Sequence, residues 1–289
     1  MWKSPSSKTL KQVGGIIALL IFAGLIYYGF RDIDRIKSIF ESVRVSNLVL
    51  ASIVYALGLL LSVAVLHRLY ITFGVSIPFW RTYYIAFLSL LGRYIPGKFW
   101  ILGFASYISK SIGKDPVKVL WASLVNQMIS IFSIIPFAFF LYFETSNVWL
   151  LIGSVAVTIG AVAGSWWIYR KNRIPLIGFK FLVLTLIYFF SWLLTGLSFY
   201  LFIDGLGIDG NIVSLVSIFP VSYLVGLLSF FAPGGLGMRE ISLSYFLNAF
   251  VDMETAVAIG VMFRIFTTMV EFVLSIIAYF MYLLDREGT

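Results

Sequence analysis

The sequence predicts an all-α polytopic membrane protein with about six transmembrane helices and two re-entrant half-helix hairpins. Three observations support this fold class: 61% of the 289 residues are hydrophobic and only 12% are charged, six apolar runs are long enough to cross a bilayer, and two further apolar stretches are broken by glycine and proline. A soluble domain averages roughly 25% charged residues, so a water-soluble enzyme is excluded. The chain has no cysteine and one histidine, which excludes disulfides, cysteine nucleophiles and multi-histidine metal sites. We expect no metal and no cofactor.

The six long apolar runs are the predicted crossings. A helix needs about 20 mainly apolar residues to span a bilayer, and each run meets or approaches that length. The first run follows three lysines but has no small-residue cleavage site after it, so we interpret it as a retained helix and not as a signal peptide. In chain order the runs cover residues 13–30, 48–66, 119–143, 148–169, 181–203 and 256–284.

Two more apolar regions are each split into half-spans by a break rich in glycine and proline. Pro96 and Gly97 mark the first break, and Pro233 marks the second. Pro78 and Pro220 are predicted to start the half-helix before each break. Backbone without internal hydrogen bonds is tolerated at membrane depth only where protein buries it or where it lines a wet cavity, so we expect the functional site at these breaks. The half-spans cover residues 82–91, 99–108, 221–231 and 241–251.

The distribution of lysine and arginine predicts the orientation. The basic segments are 67–81, 109–118 and 170–180, and the segments whose only charges are acidic are 144–147, 204–211 and 252–255. If the basic group and both termini are cytoplasmic, the two hairpins enter from opposite sides. The chain is then a single integral membrane domain, 1–289, with an inverted-topology repeat of residues 1–144 and 145–289. Parallel four-crossing halves remain the alternative, because the basic loop 31–47 falls outside in the inverted scheme.

The first break has the spacing of a phosphate-binding loop, G-x-x-x-x-G-K, from Gly92 to Lys98. Phe99 stands where that motif needs Ser or Thr to hold magnesium, and no buried strand precedes it, so we do not interpret it as a nucleotide site. Arg93 and Lys98 flank a break between half-helices, where the free amides of a helix N-terminus favour an anion such as phosphate. The alternative is that both side chains extend to the cytoplasmic headgroups as anchors.

The second break is richer in glycine. Gly234, Gly235 and Gly237 let the backbone turn tightly and approach another element closely. Arg239 and Glu240 place opposite charges at the start of the returning half-helix, where Glu240 suits the helix dipole. Ionisable residues at membrane depth cost roughly 3 kcal/mol each, which favours a functional role. The alternative is a structural hairpin tip with an exposed ion pair.

A polar stripe runs through the last predicted helix. Arg264 and Glu271 lie two turns apart on one face, and Arg264 is about a dozen ångströms from the helix start, too deep for a headgroup anchor. Thr267, Thr268 and Ser275 continue the stripe. A polar stripe in an apolar helix faces protein or water. The alternative to a functional role is a buried ion pair that only fixes helix packing.

Together the two breaks carry a family resemblance. The segments GRYIPGKFW (92–100) and PGGLGMRE (233–240) resemble the transmembrane region of the lysylphosphatidylglycerol synthetases, also called the flippase-like domain family. In those proteins this region is similar to a lipid flippase module joined to a soluble aminoacyl-transfer domain. We expect this chain to be a stand-alone member without that soluble domain, so the resemblance implies lipid translocation and argues against lysyl transfer. Other stand-alone relatives have been linked to lipid-linked sugars and isoprenoid carriers. Many members carry a Glu where this chain has Asn126 and Gln127, so no carboxylate role is carried over to that position.

The sequence therefore predicts a flippase- or scramblase-like lipid transporter of the cytoplasmic membrane. Its substrate is an anionic or glycosylated lipid, polyprenyl-phosphate-linked lipids included. We expect the lipid as partner and no nucleic acid, because the residues behind the net charge of +8 adjoin apolar segments. A homo-oligomer and a partner synthase stay open. The alternative functions are a membrane-embedded transferase with a lipid-linked donor and a non-catalytic subunit of a lipid or envelope synthase.

The predicted site residues form two sets. Glu240 and Glu271 are assigned to charge balance or to ion coupling. The residues assigned to the lipid headgroup and its phosphate are Arg93, Tyr94, Lys98, Gly234, Gly235, Gly237, Arg239 and Arg264.

Overall fold

The computed structural model describes residues 43–90, 100–145, 179–229 and 237–287, with residues 27, 163 and 170 as single positions. These residues form helices and connecting turns, with no strand among them. The helices are α1 (Val45–Thr72), α2 (Phe79–Ser89), α3 (Trp100–Ser111), α4 (Pro116–Thr145), α5 (Phe179–Gly205), α6 (Ile212–Leu228), α7 (Met238–Leu247) and α8 (Met253–Glu287).

Four of these helices, α1, α4, α5 and α8, are long and apolar enough to cross a membrane. They confirm an all-α polytopic membrane protein and correspond to four of the six predicted crossings. The other two predicted crossings, 13–30 and 148–169, lie outside the described residues. At 1.5 Å per residue, α8 is about 50 Å long and extends past both faces of a hydrocarbon core of roughly 30 Å.

Helices α1 and α5 pack against each other in antiparallel directions through small residues. The amide of Arg44, before α1, donates to the carbonyl of Gly205 at the end of α5, at 2.8 Å. Deeper along the pair, the Ser191 hydroxyl donates to the Gly58 carbonyl at 2.7 Å. A Cβ on Gly58 would lie 3.0 Å from the Ser191 carbonyl oxygen and 2.8 Å from Thr195 Cγ2, so the two helices approach this closely only because Gly58 has no side chain. An inverted repeat requires this antiparallel pairing, although the repeat itself stays a prediction.

The short helices α2 and α3 both have one end where α1 and α8 end; we call this the Thr72 end of the bundle. Pro78 precedes α2 in an extended conformation and starts it as predicted. Arg81 of α2 forms a 2.8 Å ion pair with Asp285 of α8. At the end of α3, the Ser111 hydroxyl lies 3.4 Å from the hydroxyl of Tyr282, one turn before Asp285. The chain thus enters α2 and leaves α3 at the same end, as a re-entrant hairpin requires, but the predicted tip lies outside the described residues.

Helix α6 corrects one sequence prediction, because Pro220 lies inside the helix and does not start it. The helix begins after Asn211, whose side chain accepts a hydrogen bond from the Val213 amide at 2.8 Å. Proline removes one backbone hydrogen bond, the one to the carbonyl four residues earlier, here that of Val216. Gly196 of α5 packs against this carbonyl so closely that a Cβ on it would lie 2.1 Å from the Val216 oxygen. The helix therefore continues through Pro220, and the carbonyl that loses its hydrogen bond is buried against a neighbouring helix.

Helix α7 returns the chain to the end of the bundle where α5 ends and α6 begins; we call this the Asn211 end. Phe250, three residues after α7, packs near Gly210, where a Cβ would lie 3.0 Å from its ring. The Ser244 hydroxyl of α7 donates to the Ala256 carbonyl, near the start of α8, at 3.2 Å. Helices α2 and α7 therefore lie against opposite halves of α8, and the inner end of each lies near its middle, where Ser275 contacts Phe87 and Arg264 contacts Glu240.

The contact of Asp285 with α2 gives a first testable prediction. Its carboxylate binds Arg81 and also accepts a hydrogen bond from the Tyr84 hydroxyl at 2.9 Å. We expect Asp285→Asn to lower the midpoint of thermal unfolding in detergent, because removing one partner of a mostly buried pair leaves the other charge without compensation at a cost of about 1–3 kcal/mol. Asp115→Asn, at an exposed turn, is the control. Equal midpoints for Asp285→Asn and the wild type would contradict this role of Asp285.

Candidate functional site

The start of α7 carries two buried ionisable side chains. Gly237 has φ of +84°, a conformation that only glycine adopts easily. Its amide donates to Glu240 Oε2 at 2.8 Å, so the carboxylate caps the helix at its positive end. Arg239 is 4% exposed and Glu240 is 2% exposed. The alternative of an exposed ion pair at a hairpin tip is therefore wrong.

The polar stripe of α8 faces the protein interior. Arg264, Thr267, Glu271 and Ser275 are each buried, while Thr268 lies at the edge of the stripe and is half-buried. All four buried residues lie in the middle part of α8. Because the inner ends of α2 and α7 also point there, the stripe lies between these two short helices.

Arg264, Glu240 and Arg239 form a charged cluster where α6, α7 and α8 meet. Arg264 Nε lies 3.8 Å from Glu240 Oε1, which is an ion pair between helices. Arg239 does not pair with its sequence neighbour: its guanidinium lies over the ring of Phe219, 4.5 Å from the centroid, and 5.6 Å from that of Tyr223. These cation–π contacts compensate part of its burial.

The charged cluster has hydrogen-bonding capacity that the described residues leave unused. Arg239 Nη2, Arg264 Nη2 and Glu240 Oε1 are buried and make no hydrogen bond. Leaving a buried charged donor unsatisfied costs free energy. Two guanidinium groups with free N–H donors are the partners that a phosphate or carboxylate prefers, since Arg presents planar, paired donors to such anions.

Arg239, Glu240 and Arg264 line a crevice that has no room for a water molecule. Beside it lies a cavity of about 180 Å³, whose wall does not include these three residues. Glu271 lines it and accepts a hydrogen bond from the hydroxyl of Tyr55 at 2.9 Å. Phe219 and Tyr223, the rings beneath Arg239, also line it. One water needs about 10–15 Å³ of such volume, so the cavity has room for several waters or for a chemical group of that total size. Its wall follows α1 from Tyr55 to Tyr70, a length of about 22 Å, toward the Thr72 end.

Most of the cavity wall was missed by the sequence analysis, although its signal was present. Polar residues recur at i, i+3, i+4 and i+7 in two helices that are otherwise apolar, which places each set on one helix face. None of these side chains was assigned to the site, because single serines and tyrosines are common in membrane helices. The two sets are Ser123, Asn126, Gln127 and Ser130 of α4, and Tyr188, Ser191, Trp192 and Thr195 of α5.

On the Asn211 side, a phenylalanine cluster packs beyond the cavity. Phe263 of α8 is fully buried and lies at its centre, with ring centroids 4.8 Å from Phe199, 5.1 Å from Phe202 and 5.1 Å from Phe219. Because Phe219 also lines the cavity, this cluster forms its apolar boundary toward the Asn211 end. The arrangement is asymmetric. The cavity wall that extends toward the Thr72 end mixes polar side chains with apolar ones such as Leu59 and Leu66, and packed aromatic rings lie on the other side.

Comparison with known proteins gives the family. The model described as the lysylphosphatidylglycerol synthase TM region matches residues 15–275. The chain belongs to this family. Members are membrane proteins involved in lipid handling. The matched range includes every predicted site residue. No curated protein matches the chain.

Of the predicted site residues in this member of the lysylphosphatidylglycerol synthase TM family, the structure brings five together around the charged cluster and the cavity. They are Gly237, Arg239, Glu240, Arg264 and Glu271. Within the part of the chain that is described, no group of three His, Cys, Asp or Glu side chains could hold a metal ion. The other predicted residues lie outside the described ranges; they are Arg93, Tyr94, Pro96, Gly97, Lys98, Pro233, Gly234 and Gly235.

Proposed function

We propose that this protein moves an anionic or glycosylated lipid, polyprenyl-phosphate-linked lipids included, between the leaflets of the cytoplasmic membrane. The observation that carries the proposal is the pair of buried guanidinium groups, on Arg239 and Arg264, whose unused N–H donors lie near a cavity with many polar side chains in its wall. The hydrocarbon core of a membrane excludes free anions, and ionisable residues at this depth are rare and usually mark a path for a substrate or an ion. Membership of a family that handles lipids supports the same conclusion.

In the proposed mechanism the headgroup enters the cavity while the lipid tails stay in the bilayer. The crevice beside the cavity then widens, and the phosphate accepts hydrogen bonds from Arg239 and Arg264 in place of the water that the headgroup gives up. Glu240 holds Arg264 in place through the ion pair, and Glu271 balances the remaining charge. We assign Arg93, Tyr94, Lys98, Gly234 and Gly235 to the same headgroup path, on the tips of the two hairpins.

Access from both sides follows from the proposed inverted repeat of 1–144 and 145–289. In the structure the cavity extends toward the Thr72 end, which we assign to the cytoplasm together with both termini, and the phenylalanine cluster lies on the other side. Exchange of the conformations of the two halves would place the polar opening on the opposite side. No ATP site is needed, because an ion gradient or the lipid gradient itself drives net movement.

The test is lipid movement in liposomes that contain the purified protein. A fluorescent headgroup on an anionic lipid is quenched from outside, and the fraction that becomes accessible is followed in time. We expect Arg239→Gln to slow this exchange about tenfold to a hundredfold, since a charge-assisted hydrogen bond contributes about 1.5–3 kcal/mol. Arg239→Lys keeps the charge but loses the planar donors, so its exchange rate should lie between those of the wild type and Arg239→Gln.

The matched control is Arg68→Gln, an exposed arginine near the end of α1, which should exchange lipid at the wild-type rate. Full activity in both Arg239→Gln and Arg264→Gln would contradict the proposal, as would unchanged exchange of every anionic lipid tried. A covalently altered lipid in the same vesicles would favour the transferase alternative. Activity only after addition of a co-purifying synthase would favour the subunit alternative.

A further inference from the structure

The cavity wall carries an uncharged polar group, separate from the charged cluster, which lies outside that wall. It consists of Ser62 of α1, Asn126 and Ser130 of α4, and Tyr188 of α5, and we call it the amide subsite. Tyr188 is 8% exposed, and its hydroxyl lies next to the side chains of the other three residues. All four line the cavity. Three helices thus direct uncharged polar atoms at one place.

One atom of the amide subsite lacks a partner. Asn126 Oδ1 is buried and makes no hydrogen bond. An unpaired buried acceptor is unfavourable unless a ligand or water donates to it. The same side chain faces the cavity, so a donor on a bound headgroup can reach it. The subsite therefore calls for hydrogen-bond donors, which a phosphate oxygen does not supply.

Lipid headgroups carry two kinds of hydrogen-bond donor, ammonium groups and hydroxyl groups, and the charge around the amide subsite favours hydroxyl groups. Glu271 is the carboxylate that the described residues contribute to the cavity wall, and it lies at the level of Tyr55, about 10 Å along α1 from Ser62. An ammonium group would be drawn to that carboxylate and away from Asn126. A hydroxyl group donates to an amide oxygen and accepts from Ser or Tyr without needing a counter-charge.

We propose that the amide subsite binds the hydroxyl groups of a polyol or sugar headgroup while the phosphate of the same lipid lies at Arg239 and Arg264. The inference rests on the proposed function for the position of the phosphate. It narrows the substrate to phospholipids and lipid-linked sugars with several free hydroxyls. Tyr188 and Trp192 add aromatic faces beside the hydroxyl-binding atoms, which suits a ring that is polar at its edge and apolar on its face.

The experiment measures binding separately from transport. Detergent-solubilised protein is heated with increasing amounts of dioctanoyl phosphatidylinositol, dioctanoyl phosphatidate or dioctanoyl phosphatidylethanolamine, and the dissociation constant is taken from the rise in unfolding temperature. These lipids share their tails and differ in carrying a polyol, a bare phosphate or an ammonium. We expect the polyol lipid to bind at least about tenfold more tightly than phosphatidate.

Two variants assign the preference to the subsite. Tyr188→Phe removes one oxygen atom, and Asn126→Leu removes the unpaired amide; each should bring the affinity for phosphatidylinositol close to that for phosphatidate and leave phosphatidate binding unchanged. Tyr245→Phe, at an exposed tyrosine, is the matched control. If Asn126→Leu does not fold, Tyr188→Phe alone decides.

Three results would overturn the inference: equal affinities for phosphatidylinositol and phosphatidate, tightest binding of phosphatidylethanolamine, or an equal loss of affinity for all lipids in the two variants. If no lipid exchange is seen in liposomes but the protein still binds the polyol lipid more tightly, the transport proposal is contradicted and the amide subsite is supported. If phosphatidate and phosphatidylinositol exchange at the same arginine-dependent rate and bind with the same affinity, the transport proposal is supported and the amide subsite is contradicted.

Discussion

Replacement of Arg264 by glutamine is expected to destabilise the protein strongly and to stop lipid exchange. The Arg264 side chain is 6% exposed and pairs with Glu240, which is 2% exposed. Removal of one partner leaves the other as an uncompensated buried charge, at a cost of about 3–5 kcal/mol. We therefore expect a clear fall in the thermal midpoint in detergent, together with loss of transport.

The double variant Arg264→Gln with Glu240→Gln separates stability from function. It removes both charges at once, and a glutamine at position 240 can still accept the hydrogen bond from the Gly237 amide. We expect it to recover most of the lost stability, because neither charge is left unpaired, and to remain inactive, because the phosphate loses a guanidinium. If the double variant were as active as the wild type, the ion pair would serve packing alone.

Replacement of Gly196 by alanine is the second change with a large expected effect. A Cβ at this position would lie 2.1 Å from the Val216 carbonyl oxygen, and the contact is with backbone, which cannot rotate away. Helices α5 and α6 would have to separate, which would disturb the wall that carries Tyr188 and Phe219. Forced overpacking of this kind costs about 1–3 kcal/mol or more.

Gly103→Ala is the matched control for Gly196→Ala. Both glycines lie inside helices, but a Cβ on Gly103 meets nothing within 4 Å. Alanine favours a helix over glycine by up to about 1 kcal/mol, so this variant should be neutral or slightly more stable. Comparison of folded yield and thermal midpoint checks both. A Gly196→Ala protein as stable as Gly103→Ala would show that α5 and α6 do not pack as closely as described.

The helices that the structure describes could be predicted from the sequence because hydrophobic length determines them. Four crossings and four shorter helices fall where apolar runs and breaks place them. Pro220 is the exception. Its local effect predicts a helix start, but only one carbonyl loses its hydrogen bond, and that carbonyl is packed against Gly196 on another helix. Contacts between segments far apart in sequence are not visible in local propensity.

The site could be predicted in part for the same reason. Charge at membrane depth is rare enough that Arg239, Glu240, Arg264 and Glu271 stand out in the sequence. Their partners do not: Glu240 pairs with Arg264 on α8 and not with its neighbour Arg239, which lies on aromatic rings of α6. The amide subsite was missed because its four members come from three helices and each is unremarkable alone.

The proposed function depends on a lipid phosphate that binds at the charged cluster inside the bundle. The most direct measurement is a cryo-EM structure of the protein with a phosphorylated lipid added in excess. We expect density for the phosphate within about 3 Å of the guanidinium groups of Arg239 and Arg264. The headgroup should extend into the cavity beside Asn126, and the tails should lie outside the bundle. Lipid bound only on the outer surface, with the cavity filled by water alone at saturating lipid, would contradict it.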